Sequence, residues 1–412
     1  MSPFLQLSLA LVFIIAAAKA GGYISLRLGQ PSVLGELLVG LLLGPSVINI
    51  LHLPFFPDEN LSEVVHLLAE MGVMLLMFLA GLELHLKDLA SSGKVSVLAG
   101  VMGVVFPLAL GTLAGLAFKL AFLPSLFVGL ILSATSVSIS AQTLMELKVL
   151  RSPVGVGLLG AAVFDDVLVV LGLSLFTALT QPGAGGIAGV LMVFLRMGLF
   201  LAAAFAFGWW LLPRLTRRVV KLPISQGLIS FAFIILLLYG WAAEALGSMA
   251  AITGAFMAGL MFGRSPMKER IEQGVSVLAY GLFVPIFFVN VGLSANAREL
   301  GGEGLLIFGV LTAVAIIGKV LGAGAGANLS GFNRQDSLRL GVGMMSRGEV
   351  GLIVATVGIT QGLIQQEIFS TIVGVVIITT LLTPLLLRAL YAKSSQQNKA
   401  AIPQTTQEKE NL

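Results

Sequence analysis

Apolar runs of about 17 to 25 residues follow one another along the chain, separated by short stretches that hold most of the charges and turn-forming residues. Thirteen such runs lie near residues 4–28, 32–50, 61–85, 92–119, 124–147, 152–180, 186–212, 224–243, 246–264, 271–293, 303–329, 336–361 and 366–391. Runs of this length suit helices, which satisfy their own backbone hydrogen bonds where water is absent. The pattern therefore predicts an all-α membrane protein with about 13 transmembrane helices. The polar stretch from Ser394 to Leu412 is too short for a domain and reads as a disordered tail.

The basic residues test this count, because successive connections alternate between the two sides of a membrane. One side collects Lys87 and Lys94, Lys148 and Arg151, Arg214, Arg217, Arg218 and Lys221, Arg264, Lys268 and Arg270, and Arg334 and Arg339. The same side also holds Arg27, Arg388, Lys393, Lys399 and Lys409, while the other side holds Lys119 and Arg298. By the positive-inside rule the N-terminus is expected outside and the C-terminus in the cytoplasm.

A repeat is visible within the pattern. Gly35, Gly40, Leu41, Gly44 and Ser46 recur in register as Gly254, Gly259, Leu260, Gly263 and Ser265. Gly81, Leu82 and Leu89 recur as Gly292, Leu293 and Leu300, and the run from Ser133 to Val137 falls over that from Ser346 to Val350. Corresponding runs are seven apart, so the two six-helix halves are expected to form an inverted repeat, with the run at 186–212 as linker.

Composition agrees with a bilayer environment. Hydrophobic residues make up 57%, charged residues 11%, and mean hydropathy is +1.01. Cysteine is absent, which leaves no disulfide, thiolate metal site or cysteine nucleophile. The net charge of +4 is dispersed among loops, which argues against nucleic-acid binding. The first charge is Lys19, so no basic region precedes the first apolar run and a cleaved signal peptide is not expected.

Charges within apolar runs are costly, about 2.5 to 3.5 kcal/mol each on insertion scales, and so mark sites that need a partner or a water-filled cavity. Asp165 and Asp166 lie between Leu158-Leu159-Gly160-Ala161-Ala162-Val163-Phe164 and Val167-Leu168-Val169-Val170. Neighbours on a helix point about 100° apart, so one carboxylate can face a counter-ion and the other a cavity. At least one is expected to exchange protons near neutral pH. Lys319, deep in the eleventh run, can pair with either aspartate or reach toward an interface. Ser133-Ala134-Thr135-Ser136 and Ser346-Arg347-Gly348-Glu349 are runs where a membrane helix can unwind. If both break at mid-depth, Glu349 can balance the exposed helix N-termini and Arg347 can donate to freed carbonyls. Ser133, Thr135, Ser136, Arg347 and Glu349 are accordingly the candidate crossing-helix residues. Glu36, Glu70, Glu83, Lys19 and Arg196 are weaker candidates, and His52, His66 and His85 lack metal-ligand spacing.

Together these features resemble the monovalent cation/proton antiporter superfamily, and within it bacterial sodium/proton antiporters of the NapA type. The resemblance rests on Phe164-Asp165-Asp166, Ser133-Ala134-Thr135, Lys319 and Ser346-Arg347-Gly348-Glu349, with Gly35-Glu36 and Gly44-Pro45-Ser46, and spans about residues 4–391. It implies an NhaA/NapA-like fold with two discontinuous crossing helices, a homodimer and an elevator-type mechanism. Residues of about 4–85 and 224–293 would form the dimerisation part, and about 92–180 and 303–391 the moving core, with 392–412 a short tail. It further implies that Asp166 binds the cation, that Asp165 pairs with Lys319, and that Thr135 lies at the crossing, giving a Na+ set of Asp166, Asp165 and Thr135. Glutathione-gated potassium efflux systems of the superfamily carry a nucleotide-binding domain with no counterpart in this sequence, so their gating is not carried over.

The expected activity is electrogenic exchange of Na+ or Li+ for H+, with no enzymatic reaction and no cofactor expected and with Na+ and H+ as the transported species. Potassium/proton exchange, or a Kef-like potassium efflux role, is the alternative. A Na+-coupled organic-solute transporter would not need a buried lysine beside adjacent aspartates, and an intramembrane aspartyl protease needs its aspartates on separate helices. Expected partners are membrane lipid and a second copy of the chain, with no nucleic acid or nucleotide, in a cell inner membrane.

Overall fold

The structure is a computed structural model that describes residues 2–54, 56–58, 60–180, 186–294 and 304–400. Arg298 and Lys409 fall outside the described residues, as does the tail from 401. Among the described residues every regular element is helical. Nine helices among the described residues are long and apolar enough to cross a membrane, and further apolar helices are shorter. The chain is a multi-pass membrane protein.

Local sequence explains where the helices begin and end. Helix α1 (Pro3–Arg27) starts on the Ser2 cap, whose hydroxyl accepts from Leu5 N, with proline in its first turn. Helix α2 (Ser32–Leu43) follows Pro31 and stops at Gly44-Pro45, shorter than the apolar run at 32–50 because Pro45 cannot extend the backbone ladder. Next come α3 (Leu61–Glu83), the one-turn α4 (Leu86–Ser91) and α5 (Gly93–Ala117). The fifth run is two half-helices, α6 (Phe122–Ile131) and α7 (Val137–Glu146), followed by α8 (Pro153–Thr180).

Helix α9 (Gly186–Ala206) continues through a π-helical turn, Phe207–Leu211, into α10 (Leu212–Val219). After α11 (Gly227–Ala245) and the short α12 (Ala251–Phe262), α13 (Lys268–Leu278) passes through a second π-helical turn, Ala279–Phe283, into α14 (Val284–Leu293). Both π turns sit just ahead of a proline, Pro213 and Pro285, which lacks the N–H of a regular turn. Helix α15 (Gly304–Leu329) precedes another broken pair, α16 (Arg334–Gly343) and α17 (Glu349–Thr360). Helix α18 (Gln366–Ala400) runs past Ser394, where a disordered tail was expected. Its Gln, Lys and Ala residues are compatible with continuing the helix.

The helices pack in two groups. In the first, α2 lies on α1 and α14, and α3 lies on α12 and α14, with α11 against α12. In the second, α5 lies against α6, α8 and α15, and α15 against α16 and α18. Helix α9 touches α8 from the second group and α11 and α12 from the first.

Glycine sets the spacing where backbones meet. Gly318, Gly322 and Gly326 recur every fourth residue on α15 and lie against α5, where an added Cβ would crowd Pro107, Met102 O or Leu98 O. That close approach brings the Lys319 side chain beside Gly103 of α5.

Candidate ion-binding site

Two unwound stretches meet in the second group. Helix α6 ends at Ile131 and α7 begins at Val137, while α16 ends at Gly343 and α17 begins at Glu349. The stretches hold each other through backbone and hydroxyl groups. Ser136 N donates to Ser346 O at 2.9 Å, and Ser346 Oγ donates to Ser136 O at 2.5 Å. Ser140 Oγ donates to Gly343 O at 2.5 Å, satisfying a carbonyl that a continuous helix would have used. Gly348 lies against Ser136, where a Cβ would not fit. Small residues are therefore needed here for close approach as well as for unwinding.

Asp165 and Asp166 project from α8 toward different surroundings. Asp165 Oδ1 accepts from Lys319 Nζ in a fully buried ion pair, which gives both charges a partner in a medium where either alone would be costly. Its other oxygen, Oδ2, is buried without a hydrogen-bond donor. The Thr135 side chain, in the first unwound stretch, lies beside Asp165, yet its buried Oγ1 makes no well-formed hydrogen bond. These two buried oxygens are the chemistry expected of groups that serve a hard cation, which prefers oxygen ligands.

Asp166 is 8% exposed and lines a cavity of about 10 Å³ together with Val137, Ala162 and Val163 from its own group and Met77, Thr253 and Phe256 from the other. That is space for one water-sized guest. Asp166 Oδ2 accepts from Thr253 Oγ1 at 3.1 Å, so this carboxylate touches both helix groups.

Arg347 is anchored near the pair by its own hydrogen bonds. Its Nη2 donates to Ala315 O at 2.9 Å and its Nη1 to Met344 O at 3.4 Å, and its backbone N donates to Thr379 Oγ1 at 3.2 Å. The guanidinium is buried and near enough to feel the charges of Asp165 and Lys319. The Glu349 backbone starts α17, and its side chain lies outside the described residues. Ser133 belongs to the frame, since its hydroxyl donates to Gly129 O at 2.9 Å and Val104 O at 3.1 Å. Ser136 Oγ pairs with Ser138 Oγ at 3.1 Å.

Several residues at the site carried no sequence signal strong enough to single out. Ser140 is one. Thr379 and Thr380 are others: they lie in the apolar run of α18 and bind the backbone N and O of Arg347, the Thr380 hydroxyl at 2.7 Å. Paired threonines in such a run are a usable sign. Thr253, alone in α12, offered none.

The weaker candidates lie apart. Lys19 Nζ donates to Tyr280 O at 2.7 Å, and Glu70 meets His66 at 3.5 Å on an exposed face. Glu36 is buried in α2 near Lys19 and Glu146, and Arg196 is exposed on α9. Among the described residues no cluster of His, Cys, Asp or Glu has metal-holding geometry.

Comparison with known proteins adds ancestry to this geometry. The family described as "Sodium/hydrogen exchanger, transmembrane" matches residues 10–393. The chain is 38% identical over 398 residues to the Na(+)/H(+)-K(+) antiporter GerN of Bacillus cereus, covering 97% of this chain and 98% of that one. It is 37% identical to a Na(+)/H(+) antiporter of Enterococcus hirae, covering 92% of this chain and 96% of that one. In fold it is similar to the sodium proton antiporter MjNhaP1 from Methanocaldococcus jannaschii at pH 8, with a TM-score of 0.63 at 16% identity, covering 94% and 97% of the two chains. With a match from its first helix to its last and relatives alike along almost their whole length, the chain belongs to the sodium/hydrogen exchanger family, within the monovalent cation/proton antiporters.

Proposed function

We propose that this protein exchanges Na+ for H+ across a cell membrane, with the two ions competing at Asp166. The observation that carries this reading is a carboxylate on a cavity next to a buried Asp165–Lys319 pair, where two unwound helices cross. A carboxylate at that depth can be neutralised by a proton or by a monovalent cation, and both cannot occupy it together. Thr135 Oγ1 and Asp165 Oδ2 supply further oxygens for the cation, and Arg347 and the hydroxyls around it hold the crossing in place.

Transport follows an elevator path. The second helix group, residues of about 92–180 and 303–391, carries the ion past the first, about 4–85 and 224–293, which joins two copies into a homodimer. The N-terminus lies outside and the C-terminus in the cytoplasm. An inverted repeat underlies the motion and is supported by matched glycine packing. Gly40 of α2 lies against α14 at Val289 O, as Gly259 of α12 lies against α3 at Phe78 O. Gly35 lies against α1 and Gly254 against α11 in the same relation.

Potassium/proton exchange is the second reading, favoured by the Na(+)/H(+)-K(+) name of the Bacillus cereus relative. The test is a proteoliposome assay in which Li+, Na+, K+ and Rb+ are added in turn against a preset pH gradient. Na+ and Li+ should dissipate the gradient in the native protein, and Asp166→Asn should abolish the response in a protein that still elutes as a folded species. An equal response of the variant would remove Asp166 from the exchange.

A further inference from the structure

We propose that Thr253 is a positioning residue of this exchange, a latch that ties the unloaded Asp166 carboxylate to the stationary helices and lets go when an ion occupies it. The inference rests on the exchange reading above and adds a residue from outside the moving group. Thr253 is 3% exposed in the first turn of α12, which packs with α3 and α11, whereas Asp166 lies on α8 in the other group. The bond from Thr253 Oγ1 to Asp166 Oδ2, 3.1 Å, therefore crosses the surface along which the groups would slide.

The use of this hydroxyl is unusual within the molecule. Thr112, Thr143 and Thr216 donate to the carbonyl four residues earlier, at 2.7 to 2.8 Å, as threonines in membrane helices commonly do. Thr253 stands in the first turn and directs its hydroxyl to a carboxylate of the facing group. A hydroxyl bond to an ionised carboxylate is roughly twice as strong as one to a neutral acceptor. A proton or cation on Asp166 removes that advantage, and a cation entering from the adjoining cavity competes for the same oxygen. The latch thus holds most firmly when Asp166 is empty and charged.

That state is the one an exchanger must keep from crossing. If the empty group slips across, Na+ runs down its gradient with no proton returned, and the ratio of protons moved per Na+ falls. Thr253 adds to the barrier against slippage and subtracts from apparent Na+ affinity, because Na+ must displace the hydroxyl.

The experiment compares native protein, Thr253→Val and Thr253→Ser in proteoliposomes, reading the half-saturating Na+ concentration and the protons released per Na+ taken up. Thr253→Val keeps the shape without the donor. It should lower the half-saturating concentration about three- to tenfold, the worth of one hydrogen bond, and lower the proton-to-Na+ ratio. Thr253→Ser should restore both readings. If Thr253→Val is not recovered folded, Thr253→Ala carries the same two readings. A donor-free variant with native affinity and native coupling overturns the latch, and so does a serine variant as impaired as the valine one. Neither result touches the exchange reading, which fails instead if the native protein moves no protons on Na+ addition.

Discussion

Thr135 and Ser140 are both buried hydroxyls near the crossing, and their bonding separates their roles. Ser140 Oγ donates to Gly343 O, so Ser140→Ala leaves a buried carbonyl unpaired and should cost about 1 to 3 kcal/mol of stability. Its effect on half-saturating Na+ should be small. Thr135 Oγ1 makes no well-formed hydrogen bond, so Thr135→Val should cost less thermal stability than Ser140→Ala while raising half-saturating Na+ about tenfold, the worth of one lost oxygen ligand. Thermal unfolding of the purified variants and a Na+ titration of exchange separate the two, and the opposite pattern would exchange their roles. The aspartates, Lys319 and the hydroxyl runs stood out from sequence alone because ions and small polar residues are expensive in an apolar helix. The Thr253 contact did not, because it depends on two helices far apart in the chain, and a lone threonine in an apolar run is common.

At the scale of elements, glycine carries much of the packing. An added Cβ on Gly259 would overlap Phe78 O, and one on Gly81 would overlap Phe256 O, so α3 and α12 touch through a reciprocal pair. Gly259→Ala should therefore lower stability by about 1 to 3 kcal/mol through forced backbone separation. Gly198, on α9 with open space around its Cα, provides the control, and Gly198→Ala should be at least as stable as the native protein. Melting of the two variants in the same detergent, with equal midpoints, would show that the close contact does not limit stability. The positions of the helices were legible because apolar length and basic loops mark them. Their ends were less so: α2 stops seven residues before its apolar run does, and the π turns before Pro213 and Pro285 leave no mark on hydropathy. The fifth and twelfth runs read as breakable because small hydroxyl residues and glycine gather in them, and both are interrupted there.

For the whole molecule, the proposed sliding of one helix group past the other has a chemical test. Ser32 at the start of α2 donates to Glu146 at the end of α7, with Oγ to Oε1 at 2.5 Å, and the chain has no native cysteine. Joining Ser32→Cys to Glu146→Cys with a short thiol-reactive bridge should stop exchange until the bridge is reduced, and full exchange while bridged would exclude sliding. Charge would then decide what the proposed motion carries. Asp165, Asp166, Lys319 and Arg347 lie together, and with all four ionised their formal charges cancel. If Na+ replaces only the proton of Asp166, the loaded group carries one positive charge in either direction, and exchange moves no net charge. If Na+ also loosens the Asp165–Lys319 pair so that Lys319 gives up its proton, the Na+-loaded group is neutral and the proton-loaded group carries one charge. Two protons then return for each Na+, and the cycle couples to the membrane potential by about 2.3 kcal/mol per 100 mV. We expect the second course, because the pair sits where a cation on Asp166 would repel the lysine directly. A solid-supported-membrane recording of Na+ jumps at symmetric pH should show a transient current in the direction of excess protons, and Lys319→Gln should reduce or remove it while some exchange survives. Vigorous exchange with no current and no response to an imposed potential would make Lys319 a brace for Asp165 and the reaction one for one.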